Sequence, residues 1–166
     1  MADKLKILEP QLQEYMEKSD FPHFVVNHFA EIKFGEPFAP KSMGGFGSKS
    51  FEKNSLHWEV CKNDTSLGTF LGVHFALGVA TIEACGDEEQ KNRMLPDCYA
   101  LKKITSFGLT EPKHGSDATS MDTFAVKAKD GRDGYILNGE KFWIGNGTFA
   151  DYTVVWAKNR DDGDRI

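Results

Sequence analysis

Apolar and polar positions alternate with two different periods along this chain. Leu5, Leu8, Leu12, Tyr15 and Met16 recur at helical spacing, and Pro10 places a kink in that helix or its start near Glu9. Asp20-Phe21-Pro22 opens a second helix, about His23 to Phe34, with Val25, Val26, Phe29 and Ile32 inward, and Gly35 ends it. Residues 35–50 are a Gly- and Pro-rich loop. Its Met43-Gly44-Gly45-Phe46-Gly47 run lacks the Gly-x-x-x-x-Gly-Lys-Ser/Thr spacing and follows no strand, which argues against a phosphate loop. Ser50 caps a helix carrying Phe51, Leu56, Trp58 and Val60. The next helix, about Leu67 to Cys85, is apolar nearly all round. Gly68, Gly72 and Gly78 within it predict close approach by a neighbour and a central, buried position. His74 in that helix reads as a satisfied core histidine. Asp87 with Gln90 forms a capping box for a further helix, which Pro96 breaks or kinks.

From Ile104 the period becomes that of strands: Ile104 to Leu109, Met121 to Ala128, Tyr135 to Leu137, Lys141 to Ile144 and Thr153 to Lys158. Residues 129–134 form a turn, and Asn138-Gly139 is a hairpin signal. The expectation is an α+β chain: a helical domain over residues 1–103, then an antiparallel β domain from 104 to 166.

The chain has 166 residues, 40% of them hydrophobic and 27% charged, a globular balance. Its 13 Phe predict a core or pocket rich in rings. A net charge of −5 weighs against nucleic-acid binding. The longest apolar run, Phe70 to Ile82, is too short to span a bilayer, so no membrane span is expected. Neither a signal peptide nor a transit or peroxisomal signal is visible. Cys61, Cys85 and Cys98 lack metal spacing and read as reduced thiols.

Two segments carry candidate chemistry. In Ser106-Phe107-Gly108-Leu109-Thr110-Glu111-Pro112-Lys113-His114-Gly115-Ser116-Asp117 a strand ends in a hydroxyl, Pro stops ladder pairing, and Gly115 allows a turn with positive φ. In Asn138-Gly139-Glu140-Lys141-Phe142-Trp143-Ile144-Gly145-Asn146-Gly147 an indole lies beside a Gly-rich turn, where a flat ring can approach it. A flat ligand needing an aromatic face and several hydrogen bonds fits a flavin.

Thr-Glu-Pro-x-x-Gly-Ser-Asp followed by Asn-Gly-x-Lys-x-Trp-Ile-x-Asn resembles the acyl-CoA dehydrogenase and oxidase superfamily. The resemblance extends back through Cys85 to Lys91 and Leu95-Pro96, and on through Phe149-Ala150-Asp151. It implies FAD as cofactor, with Phe107, Leu109, Thr110, Gly115, Ser116, Trp143, Ile144 and Gly145 around it. The Thr110 hydroxyl would bond the pyrimidine end of the ring, and Trp143 would cover one face with Ile144 and Gly145 along its edge. Ser116 would bond the cofactor or the pantetheine region of an acyl-CoA substrate. The implied reaction is oxidation of an acyl-CoA to the 2-enoyl-CoA, the opening step of fatty-acid β-oxidation, in the mitochondrial matrix or peroxisome.

Three departures qualify the resemblance. Gly145 stands where the family's dehydrogenases usually carry Thr, and Trp-Ile-Gly-Asn is similar to short-chain acyl-CoA oxidases. Residues 107–122 and Val154-Val155-Trp156-Ala157 are similar to glutaryl-CoA dehydrogenase, yet Gly68 stands where that enzyme has a substrate-binding Arg, which disfavours a dicarboxylyl substrate. Family members are also longer: the resemblance covers their N-terminal domain and the first part of the middle domain, without the C-terminal helical bundle that carries the catalytic Glu. No residue here is therefore taken as the catalytic base, and Glu111 reads as structural. The expected partner is a companion subunit carrying the C-terminal helical domain, or a homo-oligomer of the full-length form; the alternative is a non-catalytic structural subunit of a larger assembly.

Overall fold

The computed structural model describes residues 8–129, 131 and 133–166. Leu5 of the first helical pattern, and Asp130 and Arg132 of the predicted turn, lie outside the described residues. Among the described residues, five α-helices precede five strands: α1 (Glu9–Lys18), α2 (Phe24–Glu31), α3 (Ser50–Asn63), α4 (Thr65–Cys85) and α5 (Glu88–Tyr99), then β1 (Thr105–Gly108), β2 (Phe124–Lys127), β3 (Tyr135–Asn138), β4 (Tyr152–Val155) and β5 (Lys158–Asn159). The α+β order is as the sequence predicts.

Helix ends follow local chemistry. Asp64 accepts from Leu67 N–H at 2.9 Å and starts α4. Asp87 accepts from Gln90 N–H at 2.7 Å while Gln90 reaches back to Asp87 N–H at 3.0 Å, the reciprocal box that starts α5. For α3 the cap lies one residue earlier than expected: Glu52 accepts from Lys49 N–H at 2.6 Å, and Ser50 is already helical. Pro96 sits inside α5, which continues to Tyr99 instead of breaking.

Helix α4 is the spine. It widens from α to π winding over Gly72–Val79 and returns to α winding over Ala80–Cys85. Gly68 and Gly78 do permit close approach. A Cβ on Gly78 would stand 2.1 Å from Thr105 Oγ1, and one on Gly68 2.3 Å from Cys61 Sγ. The helix is not buried all round, however: Leu77 is 41% exposed and Ala76 is exposed beside it. At 21 residues it is long and apolar enough to cross a membrane by length and composition, contrary to the estimate from the shorter apolar run, but half of it is packed inside the fold. Its His74 is fully buried, with Nε2 3.0 Å from Cys98 O and Nδ1 accepting from Thr105 N–H at 3.0 Å. Those two bonds set the neutral tautomer with hydrogen on Nε2. Burial pushes its pKa down to about 4. His74 thus ties α4 to the end of α5 and to β1.

The core lies among the helices and holds Val25, Phe29, Phe34, Val60, Leu71 and Leu95. Its ring content matches the Phe count. Phe38 stacks on Phe75 with centroids 4.3 Å apart, and Phe149, from the loop before β4, stacks on Phe21 at 4.3 Å.

Strand directions differ from the antiparallel expectation. β1 pairs with β4 in parallel, Thr105 opposite Tyr152 and Gly108 opposite Val155. In the second sheet, ordered β3-β2-β5, only β2–β3 is antiparallel; β2–β5 is parallel. Beyond the β2–β3 pairing, Ala128 N–H bonds Gly134 O at 3.0 Å. Asn138-Gly139 is not a hairpin tip: Asn138 is the last residue of β3, opposite Phe124, and residues 141–144 form no strand. Gly139 instead passes over β2's start, where a Cβ would lie 2.3 Å from Thr123 Oγ1 and φ is 146°. Alternation alone could not distinguish a returning strand from this crossing.

Candidate functional site

The two segments singled out in sequence meet. Phe142 N–H donates to Thr110 O at 2.8 Å, and Lys141 Nζ donates to Leu109 O at 3.0 Å. A buried ion pair fastens them: Lys141 Nζ lies 2.8 Å from Glu111 Oε1, with side chains 10% and 3% exposed. Glu111 also accepts from Asp122 N–H at 2.5 Å and Thr123 N–H at 2.9 Å. Burial would raise the Glu111 pKa, but the Lys141 ammonium and the Thr123 and Asp122 donors outweigh it and hold the carboxyl at about 2. A carboxylate so bound is a latch, as its sequence context suggested. Its oxygens are also committed to these donors, so its nearness to His114 and Asp122 does not make a metal centre.

Among the described residues Trp143 is the most exposed large apolar side chain, at 84%, and it stands edge-on to Phe142 with centroids 4.6 Å apart. Its φ is +59°, and that of Asn146 is +62°. The left-handed positions of this turn therefore fall on a tryptophan and an asparagine; neither Gly145 nor Gly147 has positive φ. A bulky residue held there costs of order 1–2 kcal/mol, the kind of local strain that clusters at ligand sites.

Phe107, Leu109, Thr110 and Ile144 are half-buried around this junction, and Phe107 packs edge-on to Trp156 at 6.1 Å. Thr110 lies two residues beyond the end of β1. Gly145 is exposed, and a Cβ there would be 3.0 Å from Val73 Cγ2 of α4. Gly115 and Ser116 are exposed in the bend after Pro112; Gly115 does not take the positive φ expected of it. Asp151 fixes the entry to β1, accepting from Ile104 N–H and Lys103 Nζ at 2.8 Å each; burial opposes these bonds, yet the Lys103 ammonium and the Ile104 amide keep its carboxyl below the usual range.

Two residues matter more than sequence reasoning indicated. Lys141, the first residue of an expected returning strand, is a buried cation paired with Glu111. Asn146 reads as a turn residue, whereas its amide reaches Phe70 O and Thr105 O at 3.1 Å each.

Residues 5–102 match the acyl-CoA dehydrogenase N-terminal domain and residues 106–166 the acyl-CoA dehydrogenase middle domain. The chain belongs to the acyl-CoA dehydrogenase family. It is 32% identical over 95% of its length to mitochondrial isobutyryl-CoA dehydrogenase of Bos taurus, covering 37% of that protein. It is 35% identical over 99% of its length to a probable acyl-CoA dehydrogenase of Bacillus subtilis, covering 29% of it. An acyl-CoA dehydrogenase from Bacillus anthracis solved in complex with FAD superposes with a TM-score of 0.86 at 30% identity, over 95% of this chain and 28% of that one. The chain thus spans about a third of the length of these relatives, which come from both mitochondria and bacteria.

Proposed function

We propose that these residues form one wall of a flavin site, and that FAD bound there serves the oxidation of an acyl-CoA thioester to its 2-enoyl-CoA. One observation carries the reading: a solvent-exposed indole is held in a strained left-handed conformation one residue from the Phe142 N–H···O=C bond to Thr110. An aromatic face left open to solvent beside a hydroxyl-bearing loop fits a planar, heteroatom-rimmed ring. The FAD complex of the Bacillus anthracis relative supports the same ligand.

In this reading Trp143 covers a ring face, and Phe107, Leu109 and Thr110 meet its edge, Thr110 with a hydroxyl that can donate or accept. Ile144 and Gly145 line the opposite rim. Gly145 brings no side-chain donor, and Val73 takes the space beyond it, so that rim is apolar. Ser116 and Gly115, exposed in the neighbouring bend, serve the phosphate or pantetheine portion of cofactor or acyl-CoA. Bound FAD supplies the hydride acceptor. Glu111 is not the base in this reading: its oxygens are taken up by Lys141, Asp122 and Thr123, and a carboxylate whose pKa is held at about 2 is a weak proton acceptor. The base and the rest of the FAD site come from chain beyond Ile166 or from a second polypeptide, and residues 104–166 form part of the β domain that faces them. The electron acceptor is an electron-transfer flavoprotein or O₂, and the compartment is the mitochondrial matrix or peroxisome if the source is eukaryotic.

The test is purification from the native source, with flavin absorbance recorded and co-purifying chains identified. Flavin absorbance that bleaches anaerobically on adding butyryl-CoA or octanoyl-CoA is expected; reoxidation by air identifies O₂ as acceptor. A colourless complex with a partner side chain seated on Trp143 would replace this reading with the structural-subunit one. The 166-residue chain alone is expected to show no turnover, and measurable turnover would overturn the placement of the base.

A further inference from the structure

Three short stretches that are distant in sequence converge on one side-chain amide. Asn146 Nδ2 donates to Phe70 O, in the α-wound part of α4 just before the helix widens, and to Thr105 O on β1, at 3.1 Å each. A carbonyl has two lone pairs, so each can accept this bond beside a backbone one. Asn146 O in turn accepts from Phe149 and Ala150 N–H at 3.1 and 2.9 Å.

The residue type is informative. At φ +62° a glycine is the least strained choice, and glycines stand on both sides of this position. An asparagine tolerates that conformation and adds an amide. The neighbouring turn is thereby held at both ends, by Phe142 N–H on Thr110 O and by the Asn146 amide on α4 and β1. Between these anchors lies Trp143 in its own strained conformation.

We propose that Asn146 is a positioning residue: its amide bolts the Trp143–Gly147 turn to α4 and β1 and thereby holds the indole in its ring-binding pose. This rests on the flavin reading for its functional consequence, but the bolt itself does not. Its loss frees both the turn and the junction where α4 changes winding.

The complete FAD-binding protein, with the chain or partner that supplies the rest of the site, is compared as wild type, Asn146→Gly and Asn146→Asp. Without added FAD, hydrogen exchange in peptides spanning residues 70–79 and 141–149 is expected to quicken about tenfold in Asn146→Gly. FAD affinity, measured by quenching of flavin fluorescence, is expected to fall about tenfold. Asn146→Asp, which cannot donate when ionised, is expected to bind FAD weakly relative to wild type at about pH 7 and to recover partly, against wild type at the same pH, toward about pH 4, where its carboxyl protonates and donates one bond. That rescue distinguishes a positioning role from general damage, and it keeps the test valid if the glycine variant folds poorly. Unchanged exchange in both peptides, or wild-type FAD affinity in Asn146→Gly, overturns the proposal. A wild type that binds no FAD but shows the exchange effect on mutation overturns the flavin reading and leaves the bolt standing.

Discussion

Replacing Lys141 with Met removes the ammonium that faces a nearly fully buried carboxylate, Glu111, at 2.8 Å. The stranded charge sets the size of the effect. Breaking one side of a buried, hydrogen-bonded ion pair costs about 3–5 kcal/mol, because the surviving charge is left uncompensated. Glu111 itself, lowered from 4.5 to about 2 by Lys141 together with the Thr123 and Asp122 donors, favours the folded state by roughly 3 kcal/mol at neutral pH, of which the Lys141 bond is one part. Because its folded pKa is the lower one, the unfolded chain takes the proton first as pH falls. That contribution is complete above about pH 4.5 and is lost as pH drops through about 2. Urea unfolding of the full chain, followed by circular dichroism, should show Lys141→Met losing about 3 kcal/mol or more at pH 7 with little change in denaturant slope. Lys141→Met combined with Glu111→Gln should recover much of the loss, since no buried charge is then stranded. A single-variant loss below about 1 kcal/mol, the range of exposed pairs, would refute the latch.

Two further outcomes follow from the fold. Gly78→Val should lower the melting temperature by several degrees, because even a Cβ would stand 2.1 Å from Thr105 Oγ1; an unchanged melting temperature would refute the close approach of α4 to β1. His74 is neutral in the fold with a pKa of about 4 against an ordinary 6.5, so the unfolded chain protonates first and roughly 3 kcal/mol of stability is lost as pH falls from 6.5 to 4. Its imidazole signals, followed by NMR across that range, should not titrate near pH 6.5.

Much of the helical half could be read from periodicity and caps. The glycines of α4 and the Asp87–Gln90 box each carry a local physical signature, and the structure uses them as that signature implies. The sheet half was less legible. Parallel pairing of β1 with β4 joins residues 47 apart in sequence, Thr105 with Tyr152, and nothing local distinguishes it from antiparallel pairing. Asn138-Gly139 has the composition of a hairpin turn, but Gly139 is there for clearance over Thr123. In the site, the motif residues Thr110 and Trp143 do converge. The forces that bring them together, Lys141 on Glu111 and Asn146 on two distant carbonyls, are tertiary, and no window of sequence contains them.

The central claim is that Trp143 holds its strained pose in order to face a flavin ring. Trp143→Gly, in the otherwise complete FAD-binding protein, separates that purpose from stability, since the side chain is 84% exposed and its φ of +59° suits glycine. The predicted result is equal or greater resistance to unfolding together with at least a tenfold loss of FAD affinity; an FAD affinity equal to wild type would contradict the account.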